Sequence, residues 1–196
     1  MTLKLFGRLA GAVALTMGLA GCMDVSMEID VTSETGGTAT TISTMGADIY
    51  SMVKAGASSE DAGEGFCQEE GSVLVENADG SATCTLIVEG DFAQIGGQGE
   101  DGAKFEVVSP GVVKVSLSTE SMKGELGNTE EDEQTKAMMQ QFFEGHAITI
   151  RVKGKEVLDT NMDRKDGVAE KVIPFLDLIN GTTNLPAELY ATVRVN

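Results

Sequence analysis

From residue 24 to residue 31 the chain alternates strictly. Val25, Met27, Ile29 and Val31 interleave with Asp24, Ser26, Glu28 and Asp30. A period of two sends the two sets to opposite faces of an extended chain, so this segment is a strand with one buried face. Similar runs recur, each beyond a short turn signal, and that spacing restricts the chain to antiparallel hairpins. Glu34-Thr35-Gly36-Gly37 leads into the β-branched run Thr38–Thr44. Asn77-Ala78-Asp79-Gly80 separates residues 72–76 from 83–88, and Asp-Gly between β-rich runs is a strong hairpin signal. Pro110-Gly111 separates 104–108 from 112–117. Beyond His146, the residues Ile148, Ile150 and Val152 alternate again. A hairpin through 156–158 and 169–173 is expected next, and Leu189–Val195 reads as a closing strand after Pro186.

Two helices break this pattern. Ala47–Ala55 carries Ile49, Met52 and Val53 at spacings of three and four and stops at Gly56. Residues 130–143 form the clearer one. Thr129 can cap it, Asp132 approximates a capping box, and Glu130–Glu133 is an acidic first turn that suits the positive end of a helix dipole. Met138 with Phe142 and Met139 with Phe143 are i,i+4 pairs that make an apolar face, and Gly145 is the stop. Phe175–Asn180 suits a helical turn. Residues 57–71 read as a loop and the glycine-rich 96–102 as a mobile connection. Neither a repeat nor a linker divides the chain. The expectation is an α+β fold: a single domain of mostly antiparallel β-sheet, built from nine or ten strands in hairpins, with two helices.

Charge excludes several functions. The 196 residues hold 14 Lys and Arg against 31 Asp and Glu, a net charge of −17. A nucleic-acid binder needs a cationic footprint that this chain lacks. Attachment to anionic headgroups needs a basic patch, and none is visible. A hydrophobic content of 41% argues against intrinsic disorder.

The first residues read as an address. Lys4 and Arg8 precede the apolar stretch Leu9–Leu19, which is too short for a membrane span of ~20 residues. It ends in Leu19-Ala20-Gly21-Cys22, which looks like the bacterial lipobox, whose Cys thiol carries the lipid. Residues 1–21 are then a signal peptide, and 22–196 an envelope domain anchored through Cys22. Each buried acyl methylene contributes ~0.8 kcal/mol, so a multiply acylated Cys22 anchors stably. The domain would face the periplasm. Met23, rather than Asp, at the next position favours the outer membrane. Export also decides Cys67 and Cys84, which should pair in an oxidising compartment and close a loop that contributes ~3 kcal/mol. The competing use is a metal site, but His146 is the sole His and there is no Cys-x-x-Cys.

Few residues point to chemistry. Asp159, Asn161, Asp163 and Glu170 match positions 1, 3, 5 and 12 of a calcium loop. The turn glycine of such a loop is replaced by Arg164, and the flanks read as strands. The acidic run 130–133 can attract a cation or a basic partner, although a satisfied helix N-terminus accounts for it. His146 has no nucleophile placed beside it by any motif. No P-loop, dinucleotide, nucleophile-elbow or zinc-protease motif occurs, so neither an enzyme nor a cofactor is expected. Met138, Met139, Phe142 and Phe143, with Met27, Met45, Met52 and Met122, suit either an ordinary core or the lining of a lipid-sized cavity.

The two ends of the chain carry a family resemblance. Cys22-Met-Asp-Val-Ser-Met-Glu-Ile-Asp-Val31 places a strand directly after the lipobox Cys, and a Gly-Gly-Thr turn with a Thr-rich strand follows. Later come Gly145–Val152, Val157-Leu-Asp-Thr-Asn161 and a polar turn. This arrangement resembles the bacterial LppM-type lipoprotein domain. The resemblance implies an anchored α+β domain emerging straight from the membrane and binding lipid or glycolipid at the cell envelope. It supplies no catalytic residue. Two functional readings follow: a lipid-anchored module for a lipid or another apolar envelope molecule, and a structural or assembly lipoprotein that offers its acidic surface to a basic protein partner.

Overall fold

A computed structural model describes residues 23–56, 66–97, 102–120, 140 and 143–195. Two sheets carry the fold. Strands β1 (Met23–Val31), β2 (Gly36–Met45), β3 (Val73–Glu76), β4 (Ala82–Asp91), β7 (Ala147–Lys153), β9 (Asp163–Lys165) and β10 (Val168–Pro174) form a seven-stranded sheet in the order β3-β4-β2-β1-β7-β10-β9. Strands β5 (Lys104–Ser109), β6 (Val112–Ser118), β8 (Glu156–Thr160) and β11 (Glu188–Arg194) form a four-stranded sheet in the order β5-β6-β11-β8. The short helices α1 (Ala47–Gly56), α2 (Phe92–Ile95) and α3 (Phe175–Ile179) connect or follow strands. The chain is thus α+β and mostly antiparallel. Among the described residues β1 with β7 is the parallel pair, with Val25 opposite Ile148 and Ile29 opposite Val152.

Alternation explains the core. Val25, Ile29 and Val31 of β1 pack with Ile148, Ile150 and Val152 of β7 and Ala169 and Ile173 of β10. The smaller sheet answers with Val113, Val115 and Leu117, Val157, and Leu189, Ala191 and Val193. Phe143, Phe175, Leu178 and Ile179 close one end of this layer. The residues between these positions point outward, which is why the sequence shows period two on both sheets.

Two expectations are corrected, and one helix is added. Residues 156–158 do not form a hairpin with 169–173. Strand β8 joins the smaller sheet beside β11, while β10 pairs with β7 and β9. The hairpin is instead β9–β10, turned at Asp166 and Gly167, whose φ values of 52° and 81° are those of a primed two-residue turn. On α1 the inward stripe is Ile49, Tyr50 and Val53, and Met52 is 57% exposed. At 100° per residue Met52 falls outside the arc that 49, 50 and 53 share. Helix α2 lies between the strand at 83–88 and the loop at 96–102, in a stretch to which the sequence pattern assigns no element. Its signal is Asp91-x-x-Gln94, a capping box in which Asp91 accepts from the Gln94 N–H and Gln94 returns to the Asp91 N–H, both at 3.0 Å. The helix expected at 130–143 lies outside the described residues except for Gln140 and Phe143.

Candidate functional site

The inner face of the large sheet is covered unevenly. The smaller sheet packs over β1, β7 and β10. At the other side a second apolar cluster covers one corner: Met45, Tyr50 and Ala82, with Met23, Ile49, Val53 and Phe66 around them. Helix α1 supplies Tyr50, whose ring meets the edge of Phe66 at 6.2 Å. Cys67 and Cys84 form a disulfide, with Cα atoms 5.4 Å apart, and it fastens the Phe66–Cys67 turn to the inner face of β4.

The register shows what lies beyond that corner. One row across the sheet is Met23–Met45–Ala82–Glu76 and the next is Val25–Ser43–Cys84–Leu74. Then come Met27–Thr41–Leu86 and Ile29–Ala39–Val88. The side chains of all four rows point the same way, toward the smaller sheet and α1. At the far end α2 turns toward the smaller sheet, and Phe92 stacks on Phe105 of β5 with ring centres 4.4 Å apart. Two covers, α1 with the disulfide turn and α2 with its stacked aromatics, therefore flank an apolar strip. On it Thr41, Leu86 and Val88 are half-buried, and Leu74 is 42% exposed at its mouth. Apolar area left half wet is surface that another apolar group can cover, at roughly 25 cal/mol per Å².

Polar groups frame the strip at one corner. Lys54 Nζ and Tyr50 Oη both donate to Glu76 Oε1, at 2.6 and 2.7 Å. The Lys54 bond first, then that of Tyr50, holds the Glu76 carboxyl below its usual range, and the same carboxylate raises Tyr50 and Lys54. Chemically this corner is a neutralised cation–carboxylate–phenol set. It can orient a polar head beside the apolar strip.

The residues singled out from sequence separate. Phe143 is fully buried and its ring lies 5.0 Å from that of Phe175, so it belongs to the core. Met138, Met139 and Phe142 lie outside the described residues, as do Cys22, the signal peptide and the acidic run 130–133. The four calcium-loop residues fall into two groups. Asp159 accepts from Tyr190 Oη at 3.0 Å, raising the phenol's pKa, and Asn161 bonds the β11 backbone at the Glu188 carbonyl and the Tyr190 N–H. Asp163 and Glu170 face each other across β9 and β10, where Glu170 takes Arg151 at 2.7 Å and Lys165 at 3.7 Å. Among the described residues no three His, Cys, Asp or Glu side chains converge as a metal site would require. His146 Nδ1 lies 3.1 Å from Asp24 Oδ2, and the other Asp24 oxygen accepts the Ala147 N–H. That pair fastens the start of β7 to the start of β1.

Comparison with known proteins adds little. The folded domain of LppM from Mycobacterium tuberculosis, solved by NMR, is similar to this chain. The TM-score is 0.45 and the identity 12%, over 91% of this chain and 94% of that domain. No protein-family model matches the chain. No curated protein matches it either. At 12% identity no functional residue is transferred. Sequence reasoning missed the strip itself, because Leu74, Leu86 and Val88 read as ordinary strand residues until the cover over each is known.

Proposed function

We propose that the chain is a bacterial envelope lipoprotein, held at a membrane through Cys22, whose domain binds a lipid or another apolar molecule without chemical turnover. The half-covered strip of Thr41, Leu86, Val88 and Leu74 between the two covers carries this reading. An acyl chain laid along it exchanges wet apolar surface for contact, at ~0.8 kcal/mol per buried methylene. The Lys54–Glu76–Tyr50 corner suits the polar end of such a molecule. A start of β1 at Met23, directly after Cys22, keeps the strip within reach of the bilayer that would supply it. The alternative reading, an acidic surface for a basic partner, has the net charge of −17 in its favour. On the outer face of β1, however, Glu28 and Asp30 are already taken by Lys153 at 2.7 and 3.5 Å.

Residues 23–196, exported to an oxidising compartment and purified folded, test the reading by solvent extraction and lipid mass spectrometry. A stoichiometric lipid in the wild type and its loss in Leu86→Gln support it. A wild-type domain that is empty, and stays empty after incubation with envelope lipids, refutes it.

A further inference from the structure

The outer face of the seven-stranded sheet divides by charge. On its β1, β7 and β10 side the outward residues include Glu28, Asp30, Lys153, Arg151 and Glu170, joined as ion pairs. On its β2, β4 and β3 side they are Ile42, Ile87, Val73 and Val75 with threonines between them. These four apolar side chains are 38, 61, 59 and 51% exposed. Thr44 and Thr83 approach each other at 3.3 Å on this face, which fixes its orientation. Glu89 and Asp91 are the acids among the outward residues of these three strands, and both lie at the end far from Met23. In a chain of net charge −17, a flat face of three strands without charge over most of its length is unusual.

We propose that this face is a bilayer-docking surface, on which the anchored domain lies against neutral lipid headgroups. Its position supports this, and the argument rests on the anchor reading of Cys22. The row Thr44–Thr83–Val75 continues from Asp24, two residues after that Cys. At ~4.8 Å between strands, β2, β4 and β3 all lie within roughly 15 Å of β1. A lipid on Cys22 leaves no spacer before β1, so the face is presented to the bilayer at a high effective concentration and needs little affinity of its own. Threonine hydroxyls can bond phosphate and ester oxygens, while Ile42, Ile87, Val73 and Val75 reach below them. The net charge of −17 on the whole chain favours neutral over anionic headgroups. The inner strip then remains free for its own occupant.

The chain contains no Trp, so one introduced indole is an unambiguous reporter. The full chain carrying Ile87→Trp or Val108→Trp is produced in a lipidating host, and mass spectrometry of the Cys22 peptide establishes the anchor. Each lipidated protein is placed in phosphatidylcholine vesicles brominated near the head of the acyl chain. Ile87→Trp should lose at least half of its emission relative to unbrominated vesicles, and Val108→Trp on the β5 edge should lose little. Lipidated protein with equal or no quenching at the two sites overturns docking and leaves the anchor standing. A dimer by light scattering of the detergent-solubilised lipidated protein, with no quenching in vesicles, points to a second copy of the chain on this face and also overturns it. An unmodified Cys22 removes the anchor and the docking proposal together.

Discussion

Phe143 distinguishes a packing role from a ligand-binding role. From sequence it suits either an ordinary core or the lining of a ligand cavity, and in the fold it is wholly buried and tilted 41° against Phe175 at 5.0 Å. Its carbonyl accepts the His146 N–H at 3.1 Å, and the His146 carbonyl accepts the Phe175 N–H at 3.1 Å. The two rings are therefore joined through backbone as well as contact. Removing a buried phenyl ring loses its transfer free energy and leaves a cavity, so Phe143→Ala should cost about 3–5 kcal/mol. Of that, ~0.5–1.5 kcal/mol belongs to the ring pair and should appear as coupling in a double-mutant cycle with Phe175→Leu. Urea unfolding followed by circular dichroism in lipid-free buffer measures both. A domain of this size has ~5–15 kcal/mol in total, so the variant should unfold at a visibly lower urea concentration. A loss below ~1.5 kcal/mol with no coupling would show that Phe143 does not pack as described, since a ring facing an empty site has little to lose.

The remaining predictions concern the disulfide, one ion pair and one glycine. Replacing Cys67 and Cys84 together by Ser reopens a loop of sequence separation 17 and should cost about 3 kcal/mol. Reducing the wild type should lower its urea midpoint equally, and an unchanged midpoint would mean that the β3–β4 hairpin orders this loop unaided. The Arg151 hydrogen bond holds Glu170 below its ordinary pKa, with Lys165 adding to it. A depressed folded pKa gives stability that is present above the unfolded value near 4.5 and lost as pH falls through the lower folded one. Glu170→Gln should therefore be less stable than wild type at neutral pH and converge with it in strong acid; parallel stability curves down to pH ~2 would contradict this linkage. A Cβ on Gly37 would collide with the Asp30 carbonyl of β1, whereas one on Gly145 meets nothing within 4 Å. Gly37→Ala should thus cost about 1–3 kcal/mol from overpacking. Gly145→Ala should lose only the backbone preference of its φ of 84°, on the order of 1 kcal/mol. Thermal melts that rank the two the other way would refute the close approach.

The local structure was legible and the long-range pairing was not. Alternation located β1 and β7, the β-branched run Thr38–Thr44 located β2, and Asp79-Gly80 and Pro110-Gly111 located two hairpins, because period, propensity and turn chemistry act within a few residues. Asp166-Gly167 was an equally good turn signal. It lay inside a polar segment whose Asp and Asn spacing also suits a calcium loop, and that reading obscured a hairpin. Helix α2 was missed because four residues carry no helical period, although its capping pair Asp91 and Gln94 was visible. Nothing local says that β8 leaves β7 and β10 for the other sheet, since a strand buried on one face satisfies its alternation on either. The division of the inner face into two clusters depends on those choices, so the strip of Leu86 and Val88 could not be read from spacing.

The position of β1 follows from the same pairing and fixes where the chain enters the domain. The strand lies between β2, antiparallel, and β7, parallel, so both of its edges are hydrogen-bonded. Its inner residues Val25, Ile29 and Val31 are buried, and its outer ones meet Arg151 at Ser26 and Lys153 at Glu28 and Asp30. A slip of one residue would put Asp24, Glu28 and Asp30 into the core and expose the valines, and burying an unpaired carboxylate is costly enough to forbid it. Met23 is therefore held at one place on the sheet, beside Met45 and two strands away from Ala82. For a lipid on Cys22 this is a rigid attachment. A pull on such an anchor would load two ladders at once instead of peeling an edge strand. The alternation that most limits the fold thereby also sets which surfaces of the domain the proposed Cys22 anchor would bring to a membrane.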